Sequence, residues 1–147
     1  MIIASACLLG LKCRWDGRIY PQEKQLINLP DLIAVCPEQL GGLATPREPA
    51  RIINGNGFDV LDNRARVINA SGVDVTGEFI RGARAVLEIA RKYNVDQVVL
   101  KERSPSCGVH CIYQGKTLAA GMGVTCALLL REGITILSSE EIGKLHA

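Results

Sequence analysis

The strongest constraint on how this chain can fold lies in its second half. Residues 76–93 place Phe79, Ile80, Ala83, Val86, Leu87, Ala90 and Tyr93 on one face at the 3.6-residue period. Arg81, Arg84, Glu88, Arg91 and Lys92 take the other face. Asp74 or Thr76 can cap this helix, and Glu78 suits the positive end of its dipole. A short apolar run follows at 97–100. A segment at about 123–131 is apolar almost all round, as a buried helix would be. Gly133 ends that helix, and 134–137 reads as one more strand. Strand and helix alternating in this way is the pattern of a parallel sheet. Residues 2–6 and 32–36 supply two further strands, with a short helix at 22–29 stopped by Pro30. The fold expected is therefore α/β, a single-domain, mostly parallel, Rossmann-like sheet with flanking helices.

Three other segments carry local expectations. Pro37, Pro46, Pro49 and the pair Gly41-Gly42 make 37–49 a rigid loop of fixed shape. Ile52-Ile53, Val60-Leu61 and Val67-Ile68 are short apolar runs broken by Asn-Gly and Asp-Asn, which predicts a β-hairpin insertion beside the main sheet. Ser138 or Ser139 can cap a last short helix with Glu140 and Glu141.

Six cysteines need an explanation in such a chain. No run approaches ~18 apolar residues, so no membrane span is expected. The stretch Ala4-Ser5-Ala6-Cys7 has neither the basic nor the apolar segment that a signal needs. A cytoplasmic location follows, where thiols stay reduced and disulfides are rare. The cysteines then read as metal-binding, catalytic or buried thiols. With only His110 and His146 in the chain, any soft metal must be held mainly by thiolates. A net charge of +2 and 4% aromatic residues make a nucleic-acid partner unlikely. A small neutral or anionic substrate fits better.

Cys7, Cys36 and Cys107 each follow an expected strand. In an open α/β sheet, ligands bind outside the carboxyl ends of the strands. Three distant thiols could thus meet at one point and hold a soft metal or an iron–sulfur cluster. Pro37 keeps Cys36 extended. The small residues of Ser104-Pro105-Ser106-Cys107-Gly108 bring backbone amides close to Cys107. Cys13 lies within reach of Cys7, and Cys111 is spaced to chelate with Cys107, so either could serve as a ligand. Cys126 sits inside the buried helix and reads as packing. Glu38 stands two residues after Cys36 and is a candidate acid/base group, or else one half of a surface salt bridge with Arg47. Lys101, Glu102 and Arg103 read as a solvated loop, unless Lys101 offsets charge at the site. Gly121-x-Gly123 ahead of a helix is either an anion nest or tight packing.

These blocks together resemble a known family. Ser5-Ala6-Cys7-Leu8-Leu9-Gly10, Cys13-Arg14-Trp15-Asp16-Gly17, Cys36-Pro37-Glu38-Gln39-Leu40-Gly41-Gly42-Leu43, Thr45-Pro46-Arg47 and Lys101-Glu102-Arg103-Ser104-Pro105-Ser106-Cys107-Gly108 occur in the order seen in the thiouracil desulfidase family. The resemblance implies one desulfidase-type domain over residues 1–147. It also implies an oxygen-sensitive [4Fe–4S] cluster on Cys7, Cys36 and Cys107, with its fourth iron open. Glu38 and Ser104 would lie close to that iron. The implied reaction converts 2- or 4-thiouracil, or a related thionucleobase or thionucleoside, to the uracil form with release of sulfide and no redox change. The bottom-up chemistry agrees, since a thione sulfur is a soft donor and prefers soft, unsaturated iron. Two competing classes remain: a thiolate module that stores zinc or a cluster without turnover, and a thiol redox enzyme.

Overall fold

A computed structural model describes residues 1–145 of the chain; His146 lies outside the described residues. Four parallel strands form the central sheet: β1 (Ile2–Ser5), β2 (Leu32–Val35), β5 (Gln97–Leu100) and β8 (Thr135–Ser138), in the order β2-β1-β5-β8. The chain leaves β1 in one direction to β2, then crosses back to β5 on the other side of β1. That reversal opens a crevice at the carboxyl ends of β1 and β5, where α/β sheets bind ligands.

The register aligns these ends. Ser5 pairs with Val35, and Ala4 with Val99, so Cys7, Cys36 and the loop after Leu100 leave the sheet on one edge. Ile3, Val98, Val99 and Leu100 are fully buried, which is why this short run holds the middle of the sheet. Helix α4 (Thr76–Lys92) buries Phe79, Ala83, Val86, Leu87 and Ala90, as its period requires. The Asp74 carboxylate accepts the Thr76 N–H at 2.9 Å. Tyr93, expected on the apolar face, lies past the helix end and is exposed. Helix α5 (Val124–Arg131) is apolar and largely buried, and Gly133 follows it with φ of 81°. One helical turn, α1 (Lys24–Ile27), fills the expected 22–29 segment.

Three local readings change. The 37–49 segment begins with a helical turn, α2 (Pro37–Leu40), rather than a loop. Proline at the first helical position loses no bond there, and the Leu40 N–H returns to the Cys36 carbonyl at 2.9 Å. The insertion does contain a hairpin, β3 (Ala50–Ile53) with β4 (Arg66–Asn69). Its middle, however, is helix α3 (Gly57–Leu61), so Val60 and Leu61 are helical. Asn56 accepts the Phe58 N–H and Asp59 answers to Asn56, a capping box that outweighs the strand-like Val-Leu pair. A second hairpin, β6 (Cys111–Gln114) with β7 (Thr117–Ala120), turns at Gly115. Its runs were too short and mixed to read as strands.

Two close approaches fix α2 on α4. A side chain on Gly82 would run into the Pro37 carbonyl, and one on Gly41 would run into the Glu78 carbonyl. Only glycine lets these backbones meet, and Glu38 is thereby held at a set height above the sheet.

Candidate active site

At the carboxyl edge of the sheet lies a cavity of about 890 Å³. Cys7, Cys13, Cys36 and Cys107 all line it, together with Glu38 and Ser104. The sequence reading of convergent thiols is met by four cysteines rather than three. Cys7 belongs to the 3-10 turn Ala6–Leu9 directly after β1. Cys36 precedes α2. Cys107 belongs to the loop after β5. Cys13 comes from the loop that follows this turn, and it is as buried as Cys107. Cys111 starts β6 and lies outside the cavity lining, as does Cys126, which packs inside α5 with no exposure.

Among these thiols, Cys36 and Cys7 are the neighbours that weigh most on Cys13. The Cys36 thiol also points at the Cys13 carbonyl, 3.7 Å away. The Cys13 thiol is pushed up to about 11: the bond with Cys36 favours its thiolate, but the bond with Cys7 and burial outweigh it. The Cys36 thiol is raised further, by its bond with Cys13 and by burial. Burial pushes the Cys107 thiol up to about 12, against favourable contacts from Ser5 and Ser106. The raised Cys13, Cys36 and Cys107 thiols therefore need a metal to become thiolates.

The donor set fits a polynuclear cluster. No group of three or more His, Cys, Asp or Glu side chains among the described residues closes on one metal-ion point. A zinc ion would need its thiolates ~2.3 Å from a single centre. An iron–sulfur cluster lets each thiolate take a different iron, so the ligands stand further apart.

Beside the thiols runs a polar chain. Arg47 Nε donates to Glu38 Oε1 at 3.1 Å, and Ser106 Oγ donates to Glu38 Oε2 at 3.0 Å. Ser104 Oγ lies 3.3 Å from Ser106 Oγ and accepts the Cys107 N–H at 2.7 Å. The salt bridge offered as the plain reading of Glu38 exists, but both side chains are more than 85% buried and face the cavity. Arg47 also donates to the Cys13 carbonyl at 2.9 Å and to Thr45 Oγ1 at 3.0 Å. One guanidinium thus ties the Glu38 carboxylate to the loop bearing Cys13. Arg47, read from the sequence only as a surface salt-bridge partner, and Ser106, quoted there without a role, are both site residues. The alternation Ser104, Ser106 around a proline was the signal for the second.

Glu102 corrects another expectation. It is not solvated but 2% exposed. Its Oε1 accepts the N–H groups of Val109, His110 and Cys111 at 2.7, 2.9 and 3.2 Å. This folds the chain after Cys107 back beneath the strand end. Oε2 is buried without a hydrogen-bond partner. Lys101 does line the cavity, with its ammonium 5.0 Å from the centre of the Tyr20 ring. The Gly121-x-Gly123 nest is absent. The N–H groups of Gly123, Val124 and Thr125 donate to the carbonyls of Gly108, Pro105 and Ser106 at 2.8–2.9 Å. A side chain on Gly123 would strike Ser106, so tight packing is the reason for that glycine.

A parallel α/β sheet whose carboxyl-edge cavity is lined by four thiols and an anchored carboxylate is an arrangement suited to an enzyme that holds a metallocluster. Sequence comparison gives the family. The 2-thiouracil desulfurase family matches residues 2–141, and the chain belongs to it. The uncharacterized protein YbbK of Bacillus subtilis (strain 168) is 43% identical over 150 residues, covering 99% of each chain. Among solved structures, the [4Fe-4S]-dependent thiouracil desulfidase TudS is similar, with a TM-score of 0.86 and 40% identity over 98% of this chain and 93% of its own. Both the α/β fold and the desulfurase enzyme class expected from the sequence hold.

Proposed function

We propose that the protein removes sulfur from a thiolated pyrimidine, 2- or 4-thiouracil or a related nucleoside, giving the uracil form and sulfide. The cofactor is a [4Fe–4S] cluster, held in this reading by Cys7, Cys36 and Cys107. The observation that carries the proposal is Glu38: a carboxylate anchored by Arg47 and Ser106 in the same cavity as the thiols. When bound, the cluster supplies an open iron, a soft Lewis acid that binds sulfur and makes it a better leaving group.

The chain's own residues supply the rest. Glu38 takes a proton from the attacking water and returns it to the departing side. Arg47 and Ser106 hold the carboxylate in one orientation, so that it need not be ordered at each turnover. Ser104 Oγ accepts the Cys107 N–H and, because Ser106 gives its one hydroxyl proton to Glu38, donates its own to Ser106 Oγ; turned from Ser106, it offers that proton to the substrate. Lys101, Arg51 and Asn69 line the outer cavity and give polar contacts to the ring. The cavity accepts a base or nucleoside more readily than a polymer. No helix among the described residues is long and apolar enough to cross a membrane. In this reading one such domain spans 1–147 and works in the cytoplasm.

The test is anaerobic reconstitution followed by incubation with 4-thiouracil, reading loss of the thione absorbance and release of sulfide. A fully loaded protein that turns over no thiolated base or nucleoside would leave the storage reading instead.

A further inference from the structure

We propose that Trp15 is the stacking platform for the substrate's ring and makes the site selective for a flat, conjugated pyrimidine. The inference rests on the desulfurase reading above, and it names the residue that reads the face of the ring rather than its edge.

The chain has only six aromatic residues, and three of them, Trp15, Tyr20 and Tyr113, line the cavity that holds Glu38. Tyr20 is already engaged: the Arg14 guanidinium lies 3.8 Å from its ring centre and the Lys101 ammonium 5.0 Å. Trp15 and Tyr113 are not. Among the described residues, no hydrogen bond, ion pair or ring contact involves either side chain. They stay 44% and 46% exposed. An indole left bare in a cavity is a surface that a planar ligand covers.

Anchorage separates the two. The Trp15 carbonyl accepts the Arg47 N–H at 2.7 Å, and Arg47 Nε donates to Glu38 Oε1 at 3.1 Å. The Tyr113 N–H instead donates to the carbonyl of Arg103, whose guanidinium goes to Glu140. The Trp15 loop is also held from within. The Gly17 N–H donates to the Arg14 carbonyl at 3.0 Å, the Arg18 N–H donates to Asp16 Oδ1 at 3.0 Å, and Arg14 pairs with Asp16 at 3.5 Å. A ring laid on Trp15 is therefore held in register with the acid/base carboxylate. The link to Arg47 runs through the Trp15 backbone, so replacing the indole leaves it in place.

The experiment titrates the reconstituted protein with uracil and with 5,6-dihydrouracil. The two present the same carbonyls and N–H groups, but the dihydro ring is puckered and unconjugated. Wild type is expected to bind uracil about tenfold more tightly, within the range that a base–aromatic stack contributes. Trp15→Leu keeps apolar bulk and loses the ring. It is expected to bind the two alike, to raise the KM for 4-thiouracil about tenfold and to leave kcat within about twofold. Trp15→Phe is expected to recover most of the preference. Loss of packing alone would weaken both ligands equally. Equal binding of the two by wild type, or a uracil preference that survives in Trp15→Leu, overturns the platform. So does a preference lost only in Tyr113→Leu. Each of these results leaves the desulfurase reading standing, because turnover is read separately. Should Trp15→Leu not fold, wild type decides, since Trp15 is its only tryptophan. Uracil is expected to dim its emission and dihydrouracil to leave it unchanged; unchanged emission at saturating uracil overturns the proposal. A protein that shows the uracil preference but turns over no thiolated base keeps the platform and ends the desulfurase reading.

Discussion

Replacing Glu102 with alanine should destabilise the protein by about 3 kcal/mol. Its Oε1 accepts three successive backbone N–H groups at 2.7–3.2 Å in a site with 2% exposure. Leaving three part-buried donors bare costs at most about 1–3 kcal/mol each. Removing a carboxylate whose Oε2 has no partner returns several kcal/mol of desolvation. The donors win because three bonds meet at one oxygen. For a chain of this length, about 3 kcal/mol lowers Tm by roughly 6–12 °C.

The sign with pH is fixed by the same contacts. Burial pushes the Glu102 carboxyl up, but bonds from Ser138 and the amides of His110, Cys111 and Val109 prevail and hold it below the usual carboxylate range. Its stabilisation is therefore complete above the unfolded value of ~4.3 and is lost as pH falls through the lower folded value. Thermal melts of wild type and Glu102→Ala at equal cluster content should differ by a constant amount between about pH 6 and 8, then converge in acid. Amide exchange at 109–111 should quicken in the variant. Melts within a degree of each other at neutral pH, or a gap that persists in acid, would refute the reasoning.

Other expectations concern the site. Glu38→Gln should keep the cluster absorbance and slow desulfuration by roughly 10²–10⁴, the span of general acid–base catalysis; near wild-type turnover would return Glu38 to a structural salt bridge. Cys7→Ser, Cys36→Ser and Cys107→Ser should each lose iron on reconstitution, while Cys126→Ala, buried in α5, should keep iron and activity at a modest cost in Tm. Gly82→Ala should drive α2 away from α4 through the Pro37 carbonyl, costing about 1–3 kcal/mol as overpacking does. Because α2 carries Glu38, turnover should fall in that variant even when its iron content is unchanged.

Much of the frame was legible in the residues because it rests on periodicity. The 3.6-residue face of α4 and the short apolar runs at β1, β2, β5 and β8 have one way to be buried, and the strand ends then place Cys7, Cys36 and Cys107. What stayed hidden depends on partners distant in sequence. Glu102 looks like a solvated charge until the amides of 109–111 fold over it. Cys13 is one loop cysteine among several until Arg47, 34 residues away, fixes its carbonyl. Val60 and Leu61 carry strand propensity, and only the Asn56–Asp59 capping box makes them helical. The β6–β7 hairpin has no alternating face to announce it.

The packing of α5 against the Cys107 loop sets an order of assembly. The carbonyls of Pro105, Ser106 and Gly108 find their donors at residues 123–126, and the Glu102 N–H finds its acceptor at Ser139. Strand β5, from which the loop springs, is flanked on its outer side by β8. A nascent chain emerging from the ribosome offers Cys7, Cys13 and Cys36 early, but it cannot shape the Cys107 loop until residue 139 is free to fold. In a cell, whatever delivers iron and sulfide would meet a partial binding pocket early in synthesis and a complete one only once residue 139 has folded against Glu102. Truncations ending before α5 should therefore leave the thiols reactive toward alkylating agents and unable to retain a cubane.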